Sequence, residues 1–190
     1  MRAAVLIIGL LLLLPNAARA ELSEQELWAA LRGGGHVVLM RHANAPGTGD
    51  PEEFRIDDCS TQRNLDNRGR LQARATGAAM RANGIETLEV RSSQWCRCAE
   101  TAELLDLGPV VADPALNSFF SDRGSGAQQT AAVRDYIAEV TPGSPTRLLV
   151  THQVNITALT KIFPASGEIV VIRPTGDGGE VLGRLGPFPR

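Results

Sequence analysis

The sequence has no excess of positive charge, and this argues against nucleic acid as a partner. Its 190 residues contain 19 lysines and arginines against 21 aspartates and glutamates, a formal net charge of −2. Lys161 is the only lysine, so arginine carries nearly all of the positive charge. General nucleic-acid binding depends on clustered positive charge, so we expect no nucleic-acid partner. A single phosphate group differs, because a few well-placed arginines are enough to bind it.

The apolar run near the amino terminus is too short to span a membrane. It covers residues 4–14, about 11 residues where a spanning helix needs about 20. A small-x-small sequence follows at residues 18–20, which is typical of a signal-peptide cleavage site. We therefore predict a cleaved secretory signal at residues 1–20 and one domain at residues 21–190. The mature protein would be periplasmic or secreted, with no stable membrane anchor.

Cysteine and histidine are scarce, with three of each. Three cysteines are too few for a disulfide framework but suit a single bridge in an oxidising compartment. Cys59 would pair with Cys96 or Cys98, which would tie the first long loop to a predicted helix. The histidine and cysteine spacings lack the close pairs of structural metal sites, so we expect no metal ion.

The glycine triplet at residues 33–35 has no lysine after it. A phosphate-binding loop follows a strand, precedes a helix and carries a lysine, whereas here the order is reversed. We interpret the triplet as the turn that ends a first helix.

Strand and helix patterns alternate along the rest of the chain. Such alternation predicts a three-layer α/β/α sandwich with a mostly parallel sheet, because each parallel crossover needs a helix. The predicted helices cover residues 23–32, 66–83, 95–107, 128–140 and 155–163. The predicted strands cover residues 36–40, 88–90, 110–112, 147–151 and 168–173, and residues 180–185 would add an edge hairpin partner.

Arginine and histidine follow the ends of the predicted strands. Arg41 and His42 follow the first strand, Arg97 lies shortly after the second, and His152 follows the fourth. Ligands of open α/β sheets bind beyond the carboxyl ends of the strands, so we expect these side chains to converge.

This set of side chains fits a phosphoryl group. Two guanidinium groups match phosphate oxygens and neutralise the charge that develops during transfer. Neighbouring positive charge keeps an imidazole neutral, and a neutral imidazole can attack phosphorus. A second imidazole can donate a hydrogen bond to the phosphoryl oxygens.

These motifs resemble those of the histidine phosphatase superfamily, which also contains cofactor-dependent phosphoglycerate mutase. The family's strand ending in Arg-His-Gly is similar to residues 38–43 (VLMRHA), and its Ser-Ser motif with a following arginine is similar to residues 92–97 (SSQWCR). Its strand closing in Thr-His is similar to residues 148–152 (LLVTH), and residues 64–66 (NLD) resemble the opening of its next helix. The resemblance extends over residues 36–173.

The resemblance implies a phosphoglycerate mutase-like fold and a role for each residue. His42 is the nucleophile that becomes phosphohistidine, Arg41 and Arg97 clamp the phosphate, and His152 completes the pocket. No metal ion or other cofactor is implied.

The sequence departs from the family pattern in two respects. Ala43 replaces the glycine that usually follows the nucleophile. The proton donor is also missing from both of its usual places. One branch has a glutamate where this chain has residues 116–118 (LNS), and the other has an aspartate where this chain has Gln153.

Asp122 and Glu168 are the candidates for the missing proton donor. Proton donation to the leaving group contributes about 10²–10⁴ in rate, so an enzyme without it would be slow or restricted to good leaving groups. Arg63, in the loop after the first strand, is a candidate to contact the rest of the substrate.

The sequence thus predicts a secreted, metal-independent phosphomonoester hydrolase with a phosphohistidine intermediate. Its partner would be a small phosphorylated molecule, an envelope sugar phosphate or a phosphoprotein. The main alternative is a phosphate-binding or phosphosugar-binding module that keeps the pocket without turnover. A redox or metal protein of the envelope is a third class.

Overall fold

The computed structural model describes residues 21–176 and 178–188. The predicted signal at residues 1–20 lies outside the described residues. Within the described part of the chain, no helix is long and apolar enough to cross a membrane.

The predicted helices and strands are present, with their ends shifted by a few residues. The helices are α1 (Glu24–Arg32), α2 (Asn67–Ala82), α3 (Cys96–Leu105), α4 (Gly126–Ala138) and α5 (Gln153–Thr160). The strands are β1 (Val37–Arg41), β2 (Glu89–Ser92), β3 (Val110–Ala112), β4 (Arg147–Thr151), β5 (Ile169–Arg173) and β6 (Glu180–Leu185).

The strands form one six-stranded sheet in the order β3-β2-β4-β1-β5-β6. The pairs β1–β4, β2–β4 and β2–β3 are parallel, whereas β5 runs antiparallel to β1 and β6 antiparallel to β5. The prediction of a mostly parallel sheet is therefore confirmed.

The antiparallel direction of β5 follows from the short path that leads into it. Helix α5 has only eight residues, and the chain after it returns to the carboxyl end of β1. There the amide of Gly167 donates to the carbonyls of Arg41 and His42, and the amide of Arg41 donates to the carbonyl of Glu168. Strand β5 thus starts where β1 ends, and residues 164–168 lie beside Arg41.

Helices cover both faces of the sheet, as the alternation of side chains along β1 shows. Val38 and Met40 face a core cluster that includes side chains of α1, α2 and α3. Val37 and Leu39 face a second cluster with α4 and α5. This is the predicted three-layer α/β/α sandwich.

The start of α2 holds the loop that follows β1. The side chain of Asp66 caps the helix by accepting a hydrogen bond from the amide of Gly69 at 2.7 Å. A Cβ atom at Gly69 would lie 2.0 Å from the carbonyl oxygen of Asn44, so only glycine allows this approach. The first residues after His42 are thereby packed against α2.

Candidate active site

The four residues that the sequence singled out converge on one cleft of about 560 Å³. Arg41 ends β1 and His42 follows it, Arg97 lies in the first turn of α3, and His152 immediately precedes α5. The ring centroids of His42 and His152 are 5.5 Å apart. The carboxyl ends of β1, β2 and β4 therefore place these side chains together.

His42 is buried and held in one tautomer. Its Nδ1 lies 2.8 Å from the carbonyl oxygen of Ala43, and a carbonyl only accepts, so Nδ1 carries the hydrogen. Nε2 is then the unprotonated nitrogen. Burial and the charges of Arg97, Arg41 and Arg63 hold the pKa of His42 well below its usual value, so the ring is neutral at neutral pH.

Alanine is compatible with the turn after His42. Among the described residues, Asp106 and Lys161 are the only non-glycine residues with a positive φ, so Ala43 does not need the freedom of glycine. The Ala43 amide donates to the hydroxyl of Thr101 at 3.0 Å. The departure from the family's Arg-His-Gly pattern leaves this turn intact.

Arg41 and Arg97 each keep a buried donor without a partner among the described residues. Arg41 donates from Nη1 to the carbonyl of Pro164 at 2.9 Å, and Arg97 donates from both Nη atoms to Asp50. The Nε atoms of Arg41 and Arg97 are buried and have no partner within the described structure. Such donors are rare in folded proteins, and an anion in the cleft would satisfy them.

His152 is also buried and neutral. Ser93 Oγ lies 2.9 Å from its Nε2 and 3.2 Å from Asn117 Oδ1, and the single hydroxyl hydrogen can be donated to only one of them. Burial, the proximity of His42 and the charges of the arginines hold the pKa of His152 well below its usual value. The Sγ atom of Cys98 is 3.5 Å from Nε2, and burial raises the pKa of this thiol to about 12, so it remains a protonated thiol.

Arg63 lines the cleft and braces the loop that follows β1. Its Nε donates to the carbonyl of Gly49 at 2.7 Å, and its Nη1 donates to the carbonyl of Ala45. Burial and the charges of Arg97 and Arg41 lower its pKa, although Asp50 opposes them. Arg63 is also a third positive charge that acts on His42.

The two candidate proton donors lie in different places. Asp122 lines the cleft, where its Oδ1 accepts a hydrogen bond from the amide of Gly124 at 3.1 Å. Glu168 does not line the cleft: it is buried, paired with Arg184, and accepts a hydrogen bond from the amide of Ala165 at 2.6 Å. Because its carboxylate is committed to this ion pair, Glu168 is not placed to protonate a leaving group.

The structure pairs Cys59 with Cys96 and leaves Cys98 as a free, buried thiol. This settles the alternative that the sequence left open. Cys96 directly precedes Arg97, so the bridge ties the first loop to the helix that carries this arginine of the cleft. Among the described residues, no cluster of three or more histidine, cysteine, aspartate or glutamate side chains is arranged to hold a metal ion.

Sequence reasoning missed Asp50 and the aromatic wall of the cleft. Asp50 lies in a loop rich in proline, glycine and acidic residues, where nothing marks one carboxylate among several. Trp95 stacks on Phe54 with centroids 4.9 Å apart, and its edge meets the ring of His152 at 5.5 Å. Both aromatic residues line the cleft.

The fold is that of an α/β protein with two arginines and two histidines in one cleft at the sheet edge. Residues 37–126 match the family described as histidine phosphatase superfamily (branch 1). Over these residues the chain is similar to the histidine phosphatase superfamily.

A curated protein is similar to part of the sequence. The chain is 34% identical over 70 residues to serine/threonine-protein phosphatase Pgam5, mitochondrial, of Drosophila virilis. That match covers 37% of this chain and 22% of the relative, about a fifth of its length.

Two solved structures show the fold. The protein histidine phosphatase SixA complexed with tungstate has a TM-score of 0.57 and 18% identity, covering 80% of this chain and 97% of that one. The mycobacterial glucosyl-3-phosphoglycerate phosphatase complexed with VO3 has a TM-score of 0.51 and 18% identity, covering 72% and 92%.

Proposed function

We propose that this protein is a metal-independent phosphomonoester hydrolase that forms a phosphohistidine at Nε2 of His42. The observation that carries the proposal is the tautomer of His42 beside the unpartnered donors of Arg41 and Arg97. Its Nδ1 is bound to a backbone carbonyl, so the unprotonated Nε2 is the nucleophile. The arginines supply the positive charge that neutralises a phosphate dianion.

In the first step, the Nε2 lone pair of His42 forms a bond to phosphorus as the bond from phosphorus to the leaving oxygen breaks. Arg41, Arg97 and His152 bind the phosphoryl oxygens. The leaving oxygen takes a proton from Asp122, the candidate donor that lines the cleft. Because burial and the arginines keep His42 neutral, no proton has to be removed before attack.

In the second step, water attacks the phosphohistidine. The bond between nitrogen and phosphorus breaks and its electron pair returns to Nε2, while the water proton passes to the Asp122 carboxylate. Inorganic phosphate then leaves, and the enzyme regains its starting state.

The substrate class and the location are parts of the same proposal. The substrate is a small phosphorylated molecule, an envelope sugar phosphate or a phosphoprotein. We propose that the mature domain comprises residues 21–190 and acts in the periplasm or outside the cell. The Cys59–Cys96 bridge supports an oxidising compartment, since such bonds are rare in a reducing cytosol.

A phosphate-binding module without turnover is the second candidate, and one observation favours it. Asp50, the carboxylate paired with Arg97, accepts hydrogen bonds at both oxygens and is held ionised. Asp50 is therefore unsuited to protonate a leaving group. Hydrolysis then depends on Asp122 as the proton donor, and a site without a proton donor would bind phosphate without turnover.

A panel of phosphomonoesters assayed with purified mature protein tests the proposal. We expect hydrolysis by the wild type and its loss in His42→Ala. The matched control is His36→Ala, because His36 is outside the cleft and its Nδ1 contacts the carbonyl of Gly34. Phosphate binding without hydrolysis of any ester would instead establish the binding module.

A further inference from the structure

Asp50 connects three segments that form the cleft. Its Oδ1 accepts hydrogen bonds from Arg97 Nη1 at 2.6 Å and from the amide of Arg63 at 3.2 Å. Its Oδ2 accepts from Arg97 Nη2 at 3.1 Å and from Trp95 Nε1 at 3.0 Å. All four of these donors are N–H groups, so a carboxylate is the side chain that satisfies them.

The pairing between Asp50 and Arg97 leaves one edge of the guanidinium unused. Asp50 binds the end formed by Nη1 and Nη2, whereas the side edge is formed by Nε and the second hydrogen of Nη2. The Nε atom is buried and has no partner within the described structure, and Arg97 as a whole is 2% exposed. A buried donor of this kind is unfavourable until an acceptor reaches it.

We infer that Asp50 is a positioning residue: it fixes the guanidinium of Arg97 so that the side edge faces the phosphoryl group. This inference rests on the proposed phosphate site. The carboxylate takes the outer end of the guanidinium, and a phosphate oxygen takes the Nε edge. Asp50 therefore acts through Arg97 and does not itself touch the phosphate.

The loop that carries Asp50 is held on both sides. The Arg63 side chain donates to the carbonyls of Ala45 and Gly49, and the Arg63 amide donates to Asp50. The Cys59–Cys96 bridge anchors the far end of the same loop beside Arg97. These contacts make the position of the carboxylate, and hence of Arg97, a built feature of the cleft.

Two other roles for Asp50 fit the structure less well. Partial burial alone would raise its pKa, but the hydrogen bonds and charge of Arg97, with Trp95 and the Arg63 amide, outweigh burial and lower it. Asp50 is thus ionised and unsuited to be a proton donor. An internal competitor for phosphate would have to occupy the donor that the ligand needs, yet Nε of Arg97 has no hydrogen-bond partner while Asp50 is bound.

The test compares Asp50→Asn with Asp57→Asn. Asparagine must direct its NH2 group at two N–H donors whichever way the amide is turned, so it cannot replace the carboxylate. Asp57 lies in the same loop, is exposed and does not line the cleft, so Asp57→Asn removes an equal charge elsewhere. The readouts are the dissociation constant of inorganic phosphate by calorimetry, kcat and KM for p-nitrophenyl phosphate, and the melting temperature.

We expect Asp50→Asn to weaken phosphate binding by about tenfold or more and to lower kcat/KM by a similar factor. Asp57→Asn should stay within about twofold of the wild type, as expected for an exposed charge. Asp50→Glu, which keeps the charge and both oxygens, should recover part of the loss. A purely structural role would lower the melting temperature and leave the phosphate affinity of the folded variant unchanged.

The outcomes separate this inference from the proposed function. If Asp50→Asn binds phosphate as tightly as Asp57→Asn does, or more tightly, the positioning role is overturned, even if the wild type is an active hydrolase. Weaker phosphate binding in a wild type that hydrolyses nothing supports the positioning role and overturns the hydrolase. If Asp50→Asn does not fold, Trp95→Phe removes one donor to Asp50; unchanged or tighter phosphate binding then overturns the inference.

Discussion

Removal of the Cys59–Cys96 bridge should destabilise the protein and loosen its phosphate site. The perturbation is the double variant Cys59→Ala/Cys96→Ala. The bridge joins residues 37 positions apart, and closing a loop of that size in the unfolded chain is worth about 4 kcal/mol at 25 °C. For a domain of this size, that free energy corresponds to a fall of about 10 °C in melting temperature.

The effect on the site follows from the position of the bridge. Cys96 directly precedes Arg97, and Cys59 lies in the loop that carries Asp50 and Arg63. Without the bridge, we expect weaker phosphate binding in addition to the lower melting temperature, because the loop is then held to the arginine only by non-covalent contacts such as Asp50–Arg97.

The assay is thermal unfolding with and without a thiol reductant, followed by phosphate titration of the folded variant. Reductant should lower the melting temperature of the wild type toward that of the double variant and have no effect on the double variant itself. A double variant that melts within about 2 °C of the oxidised wild type would refute the reasoning.

Three further predictions concern acid stability, proton donation and helix packing. His42 and His152 have lowered pKa values in the folded state, so below pH 6.5 the unfolded chain binds more protons than the folded one. The free energy of unfolding should therefore fall with decreasing pH, by up to about 1.4 kcal/mol per pH unit for each histidine. Denaturant unfolding between pH 7 and 5 should show a weaker pH dependence of this free energy in His42→Ala, and an equal pH dependence would contradict the neutral, buried state of His42. Asp122→Asn should lower kcat/KM for alkyl phosphates by about 10²-fold and leave kcat/KM for p-nitrophenyl phosphate nearly unaffected, because kcat/KM reports phosphoryl transfer to His42 and only the poor leaving group needs a proton in that step. An equal loss of kcat/KM on both esters would remove Asp122 as the donor. Gly77→Ala should lower the free energy of unfolding by about 1–3 kcal/mol or more, because the new Cβ would lie 2.0 Å from a carbonyl oxygen of α3. The control is Gly176→Ala, whose Cβ would have no atom within 4 Å, and chemical denaturation should show almost no change in its stability.

The sequence was sufficient to place the residues at the strand ends. Arg41, His42 and His152 follow short apolar strands, and parallel strands bring their carboxyl ends to one edge. Arg97 lies in a helix just after β2, so the same rule brought it to the cleft. These positions depend on local patterns that a single chain displays.

The direction of β5 and the surroundings of the loops depend on contacts that a single chain does not display. A strand buried on both faces is a continuous apolar run in either direction, so the sequence of β5 does not encode its antiparallel pairing with β1. Asp50 meets Arg97 across 47 positions, and only the folded loop brings them together. The ion pair of Glu168 with Arg184 likewise became visible only when β5 and β6 were paired.

The most direct test of the account is detection of the phosphorylated nucleophile. Purified mature protein is mixed with p-nitrophenyl phosphate, quenched in base within milliseconds, and digested for mass spectrometry. The account predicts one acid-labile phosphate per chain on His42, absent in His42→Ala and present in His36→Ala. Turnover with no phosphate on His42, or with phosphate on another residue, would contradict it.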